Sequence, residues 1–330
     1  MAWIGLDIGG ANLKLATSDG TNSRHLPFPL WQDQHGLAER LVTLIGSLPA
    51  KNLAVTMTGE LCDCFESKAQ GVRHIVSSVR QAFPEANLQF WTINQNWMNE
   101  TEALANPIPL AAANWMAIGS IAAQQSSGAS GALIDMGSTT TDIVPFNHGK
   151  VTAQGRDDSS RLALGELVYT GVRRTPLMAL LGSAVCAEYF ATIQDAYIWL
   201  GLTPEEPHNK TGADGRELTR LRSRTRLARM MGGDDSSLPD AAIHRLATDA
   251  LAMQGMWISK AIGRMFTSGH YSWPENWIVS GEGEPQLSKW LRLWHPTIEV
   301  IPFSNLIGTD NSQNAGAFAV ARLAANTFEP

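Results

Sequence analysis

Cysteine is scarce in this chain, with Cys62, Cys64 and Cys186 the only three in 330 residues. They cannot build a disulfide framework, and a C-x-C pair without a second pair is a poor zinc signature. Charge is scarce as well, at 17% of residues, with a net charge of -6 and one dense basic run between Arg216 and Arg229. That balance leaves no electrostatic footprint for a nucleic-acid backbone. No segment reaches about 18 uninterrupted apolar residues, which excludes a membrane-spanning helix. The core-like run from Trp3 to Leu6 follows Met1 almost at once, without the basic and apolar regions of a leader. The expectation is a cytoplasmic chain with reduced cysteines, small-molecule partners, and neither nucleic acid nor membrane among them; a homo-oligomer stays open.

What is present is apolar: 44% of the residues are hydrophobic, enough for two lobes that each bury a core. Eleven tryptophans contribute, and Trp115, Trp199, Trp257 and Trp277 lie in apolar runs that place them in cores.

The most informative feature is an internal repeat. Residues 4–16 (IGLDIGGANLKLA) resemble residues 132–144 (ALIDMGSTTTDIV) at a constant offset, matching Asp7 with Asp135 and Gly9 with Gly137. Each copy opens as an apolar strand, sets an aspartate at the strand end, turns on small residues and resumes apolar, which reads as a β-hairpin. Gly9, Gly10 and Gly137 let backbone N–H groups approach an anion, while Asn12, Ser138, Thr139 and Thr140 add polar donors. One such turn reads equally well as structure alone. Two facing copies bring Asp7 and Asp135 to one point, where a water-coordinated Mg²⁺ would bridge them to phosphates.

Residues 111–124 and 314–325 are Ala- and Gly-rich helical patterns, read either as ordinary buried helices or as a close-crossing hinge between lobes. With the two hairpins, in this order, they resemble the superfamily of acetate and sugar kinases, heat-shock chaperones and actin. The resemblance implies an α/β chain with a duplicated ribonuclease H-like, actin-like ATPase fold, two lobes around a phosphate-binding cleft. Residues 1–118 plus 312–330 would form the first lobe and 119–311 the second, the last helix returning to the first.

Candidate chemistry clusters elsewhere too. Residues 53–65 (LAVTMTGELCDCF) read as a buried strand, a turn at Thr58 and Gly59, and a helix start that puts Glu60 and Asp63 on one face at a strand's carboxyl end. Residues 161–177 (RLALGELVYTGVRRTPL) gather Glu166, Tyr169, Arg173 and Arg174 in a stretch too rich in Gly and Thr for a plain helix. Arginine forks suit carboxylate or phosphate, though an arginine pair is also ordinary surface. Residues 187–200 read as an amphipathic helix, and the arginines of 216–229 as a mostly solvated helix face.

The motifs TGEL-x-D-x-F at 58–65, D-x-G-S-T-T-T-D-I at 135–143, GELVYTGV-x-RTP at 165–176, AEYFAT at 187–192 and ADGR at 213–216 resemble one narrower group. These are the hydantoinase/oxoprolinase-like proteins linked to tetrahydromethanopterin-dependent one-carbon transfer. The resemblance implies a transferase that joins an aminomethylfuranylmethyl diphosphate to γ-glutamyltyramine through an ether bond, releasing diphosphate, in methanofuran or methylofuran synthesis. For that chemistry, residue type and motif position make Glu60 the candidate base toward the phenol, with Asp63 second, set Lys14 toward the diphosphate, and set Arg173 or Arg174 toward the glutamyl carboxylate.

Residues 277–285 (WIVSGEGEP) depart from the kinase pattern. Where sugar kinases set a Gly-Gly loop for adenosine, this chain sets Glu282 and Glu284 beside Gly281 and Gly283, acids that would repel a triphosphate or else point to solvent. ATP is therefore the weaker cofactor expectation beside Mg²⁺. The competing readings are an ATP-dependent small-molecule kinase, which the hairpins fit equally well, and an assembly protein, for which no polymerisation loop is visible.

Overall fold

A computed structural model of the chain describes residues 2–126 and 128–329. The first half runs β1 (Ile4–Ile8), β2 (Asn12–Thr17), β3 (Ser23–Pro27), α1 (Leu37–Ile45), β4 (Asn52–Met57), α2 (Lys68–Ala82), β5 (Asn87–Trp91), β6 (Trp97–Met98) and α3 (Glu100–Ala105). Helix α4 (Asn114–Gln125) leads to β7 (Ser130–Met136), β8 (Thr141–Asn147), β9 (Lys150–Val151), α5 (Asp158–Leu164), β10 (Leu167–Val168), α6 (Leu177–Leu181), α7 (Ile193–Trp199), α8 (Arg220–Met230) and the long α9 (Asp240–Thr267). The chain then completes the second sheet with β11 (Asn276–Ser280), α10 (Glu284–Trp294) and β12 (Glu299–Pro302), and closes on α11 (Phe303–Ile307), α12 (Thr309–Gln313) and α13 (Ala315–Phe328).

The two sheets repeat one order. In the first it is β3-β2-β1-β4-β5-β6, in the second β10-β8-β7-β11-β12 with β9 on β8. In both, the first strand pairs antiparallel with its hairpin partner and parallel with the strand that follows a helical crossover. This is the ribonuclease H-like arrangement, present twice. β1 and β11 are buried along their whole length, as central strands covered on both faces must be.

Small residues set the junction between the halves. α13 lies on β1, β2 and β4, α4 lies on β7, β8 and β9, and the two helices pack on each other. A Cβ at Gly5 would overlap the Ala317 carbonyl, so β1 tolerates only glycine where α13 crosses it. The position between residues 118 and 119, expected as a lobe boundary, lies inside α4. Trp115, Trp199 and Trp277 are buried and Trp257 is half-buried. Among the described residues, no helix is long and apolar enough to cross a membrane.

Two expectations fail on long-range partners. The helix read over 187–200 is only α7, Ile193–Trp199, and every residue of it is buried, so it has no solvent face. The arginines of α8 are not simply solvated. Arg226 is fully buried, its Nε donating to Asp195 Oδ1 at 2.8 Å and Nη1 to Asp214 Oδ1 at 3.0 Å. Arg224 binds Asp235 and Asp240.

Helix α2 starts at the Ser67 N-cap, whose hydroxyl accepts from the Gln70 amide at 3.2 Å. Loss of such a cap typically costs about 1 kcal/mol. Ser67→Ala should therefore lower stability by about that amount, read as a shift of the urea midpoint at constant slope.

Candidate functional site

The repeat folds as two matching hairpins. The Gly9 amide donates to the Asn12 carbonyl at 3.0 Å, and the Gly137 amide donates to the Thr140 carbonyl at 2.9 Å. In register, Asp7 faces Lys14 across the first hairpin, while Asp135 faces Asp142 across the second. Lys14 and Asp142 hold the same place in the repeat, so the duplication keeps one aspartate and reverses the charge opposite it.

The electrostatics join the two halves. Asp7 is 6% exposed and its Oδ1 has no hydrogen-bond partner. Burial pushes its carboxyl above the usual range, and the Lys14 ammonium works against that shift. Asp135 keeps a small solvent contact deep in the cleft and is pushed up to about 7, first by burial and then by the Asp142 carboxylate; Lys14 opposes the shift and Asp7 adds to it. Asp7, Lys14, Asp135 and Asp142 thus share one cleft.

Asp142 is a site residue that motif reading passed over, although the repeat offset from Lys14 pointed to it. Arg161 of α5 donates to it at 2.8 Å. The Arg161 guanidinium also lies 3.8 Å over the Trp115 ring of α4, connecting the second hairpin to the lobe junction. Gly281 adopts φ 85 beside Asp135, where a Cβ would overlap the carboxylate, and the Gly283 amide donates to Met136 O at 2.9 Å. The turn after β11 therefore wraps the end of β7.

The donor set bears on a metal. Among the described residues there is no group of three or more His, Cys, Asp or Glu arranged to hold one. A closed cage for Zn²⁺ or Ca²⁺ does not fit. Two carboxylates, one with an orphaned oxygen, fit a Mg²⁺ that keeps most of its waters.

Glu60 and Asp63 do not share a helical face. The segment from Glu60 to Ser67 is turn and irregular chain, and α2 begins only at Lys68. Asp63 is exposed. Glu60 is 1% exposed, with neither carboxylate oxygen hydrogen-bonded, and burial pushes it up to about 7. Lys68 tempers that shift, and Asp158, at the start of α5 in the second half, adds to it, so Glu60 lies at the junction of the lobes. The turn carrying it is not remote from the phosphate loop. The Thr58 and Gly59 amides both donate to the Ile8 carbonyl at 3.0 Å, which seats Glu60 beside the first hairpin.

The segment read as substrate-binding divides. Glu166 is fully buried and spent on the fold, accepting from the Gln154 and Gly155 amides at 2.6 and 3.0 Å and from the Tyr271 hydroxyl at 2.6 Å. It does not face the cleft as a free acid. Arg173 is also engaged, donating to Glu282 at 2.6 Å and to Glu206 at 2.7 Å. The pairing leaves Glu282 compensated, so it does not oppose an anion as the sequence suggested. Glu284, in the first turn of α10, has its carboxyl raised by burial.

Tyr169 and Arg174 stay exposed and line a pocket of about 300 Å³ with Thr139, Thr175 and Pro176. That pocket adjoins the second hairpin, because the Arg173 and Arg174 amides both donate to Ser138 O at 3.0 Å. Ser138 is exposed, and Gly9, Gly10, Gly137, Thr139 and Thr140 are half-buried at the two hairpin turns.

The hydantoinase/oxoprolinase family model matches residues 52–287. The chain is 29% identical over 330 residues to the (4-{4-[2-(γ-L-glutamylamino)ethyl]phenoxymethyl}furan-2-yl)methanamine synthase of Methanocaldococcus jannaschii, covering 97% of this chain and 96% of that one. It is 28% identical over 211 residues to the synthase of the same name from Methanococcus vannielii, covering 59% of this chain and 90% of the relative. Among solved structures, the nucleotide-free form of an acetone carboxylase matches with a TM-score of 0.54 at 10% identity, over 97% of this chain and 70% of that one. That likeness concerns the fold alone.

Proposed function

As a member of the hydantoinase/oxoprolinase family, this chain is one that we propose to be a synthase of methanofuran-type cofactors, joining an aminomethylfuranylmethyl diphosphate to γ-glutamyltyramine. The observation that carries the reading is the near full-length likeness to the furanylmethanamine synthase, taken with a cleft whose two hairpins suit a diphosphate.

The reaction breaks the C–O bond between the furanylmethyl carbon and the diphosphate, which leaves with the electron pair. The phenol oxygen of the acceptor bonds to that carbon, and the phenolic proton goes to a base. A furanylmethyl carbon tolerates positive charge, so the main demand is to stabilise the departing anion. The Gly10 and Ser138 amides, at the tips of turns held by the Gly9 and Gly137 amides, supply that stabilisation with the Lys14 ammonium. Asp7 and Asp135 would hold Mg²⁺, which when bound would neutralise charge on the diphosphate.

Glu60 takes the phenolic proton. A free phenol has a pKa of about 10, and a carboxyl raised to about 7 lies closer to it than an ordinary glutamate does. Arg174, rather than the engaged Arg173, meets the glutamyl carboxylate, and Tyr169 lies beside the acceptor's ring. Incubation of the protein with both substrates, following diphosphate and product mass, tests the reading; no product under magnesium would overturn it.

The Arg173–Glu282 pair favours a second reading, an ATP-dependent kinase, because it removes one repulsion expected against a triphosphate. Thermal protection separates the two. Binding to the folded state adds RT ln(1 + [L]/Kd), about 2.7 kcal/mol at roughly 100-fold saturation. Mg-diphosphate should raise the melting temperature more than Mg-ATP; the reverse order would favour the kinase.

A further inference from the structure

The internal repeat extends beyond its two hairpins. Residues 56–60 (TMTGE) and 280–284 (SGEGE) share a hydroxyl residue followed three and four positions later by Gly and Glu, and each run begins at the end of the strand beside an aspartate. The backbone repeats the match. The Gly59 amide donates to the Ile8 carbonyl at 3.0 Å and the Gly283 amide to the Met136 carbonyl at 2.9 Å, and Ile8 and Met136 are the residues that follow Asp7 and Asp135.

The first residue of each run is set against a carboxylate. In register, Thr56 of β4 pairs with Asp7 of β1, and Ser280 of β11 pairs with Asp135 of β7. Paired residues on neighbouring strands, ~4.8 Å apart, project from the same face of the sheet, so each hydroxyl stands beside its carboxylate. In the first sheet this is the face that meets α13, where a Cβ at Gly316 would overlap Asp7 Oδ2.

Neither hydroxyl is used by the fold. Thr56 is 0% and Ser280 1% exposed, and neither Thr56 Oγ1 nor Ser280 Oγ has a hydrogen-bond partner. Asp7 Oδ1 beside Thr56 is orphaned in the same way. A buried polar group without a partner costs stability, and here the cost recurs at matched positions of both halves. On the other side of each aspartate the repeat has diverged, to Lys14 in one half and Asp142 in the other. The duplication thus reversed the charge across the hairpin and kept the hydroxyl.

We propose that Thr56 and Ser280 are positioning residues of the cleft, each hydroxyl donating to its neighbouring carboxylate and accepting from a water of the cation held there. The assignment rests on the Mg²⁺ reading given above. Mg²⁺ keeps several of its waters, and those waters need acceptors around them. A hydroxyl offers one donor and two lone pairs at once, so it serves the carboxylate and the water together.

Mn²⁺ serves as the probe, its binding to the intact protein in the presence of diphosphate being followed by electron paramagnetic resonance, without turnover. Thr56→Val and Ser280→Ala should each weaken Mn²⁺ about tenfold or more, the scale of one hydrogen bond to a charged group. Their melting temperatures should not fall, since each change removes an orphaned hydroxyl. Thr56→Ser, which loses a methyl and keeps the hydroxyl, should bind Mn²⁺ as the wild type does, a rescue that a packing role would not give. The proposal falls if Thr56→Val and Ser280→Ala keep wild-type affinity while Asp7→Ala and Asp135→Ala lose it, or if Thr56→Ser binds as weakly as Thr56→Val. Unchanged Mn²⁺ binding in Asp7→Ala and Asp135→Ala would remove the metal reading itself, and the role of the hydroxyls with it.

Discussion

Asp135→Ala is expected to lower kcat by about 10²-fold to 10³-fold or more, the scale on which a single group that stabilises developing charge acts, without lowering the melting temperature. The two halves of this expectation have one cause. The carboxyl of Asp135 is pushed up to about 7, chiefly by burial and by Asp142, so its charge is unfavourable to the fold at neutral pH. Truncating it relieves that cost while removing a proposed ligand of Mg²⁺. Asp7→Ala should behave alike, since Asp7 is also buried with an orphaned oxygen. Steady-state rates over a magnesium titration, beside thermal melts, check both. Wild-type rates and magnesium dependence in the two variants would remove the shared metal site; Asp63→Ala, at an exposed position, serves as the control that should retain activity.

Glu60→Gln should slow ether formation by about 10²-fold to 10⁴-fold, the usual consequence of losing a general base. Diphosphate binding should be retained, and a ring-fluorinated acceptor with a more acidic phenol should recover part of the loss. Stability supplies an independent signature. Glu60 titrates near 4.5 in the unfolded chain and near 7 when folded, so the native state holds the extra proton between those values. Glu60 therefore contributes a decline in wild-type stability as pH rises through that window, of about 3 kcal/mol. In Glu60→Gln that share should be absent, leaving a smaller decline that comes from Asp135 and the other raised carboxyls. Urea midpoints at pH 5 and pH 8 would reveal it; equal slopes in both proteins would mean that Glu60 is not held in a desolvated site, and equal rate losses with both acceptors would move the base elsewhere.

What the sequence made legible follows the range of the interactions concerned. The two hairpins were readable because strand, aspartate and glycine turn lie within a dozen residues and recur at one offset. The small residues of α4 and α13 were readable because close crossing restricts composition along the whole helix. Glu166 was misread as substrate-facing because its partner Tyr271 lies 105 residues away. Arg226 was read as solvated for the same reason, its partner Asp195 being 31 residues distant. Glu60 was assigned a helical first turn because TGEL resembles a capped start, whereas the helix waits for Ser67. Asp142 stayed hidden behind a run of hydroxyl residues at the start of β8, since its importance comes from the residue that faces it across the hairpin.

That charge reversal between Lys14 and Asp142 gives the cleft a sense of direction. A perfect duplication would offer the same surroundings from either side, and a bound molecule would fit equally well turned end for end. Here one half presents an aspartate with an ammonium, the other an aspartate with a second acid braced by Arg161. A ligand with an anionic head and a different tail then has one preferred orientation, and the two ancestral halves are no longer interchangeable. Grafting the second hairpin onto the first sheet would restore the symmetry of the backbone and erase the polarity of the site.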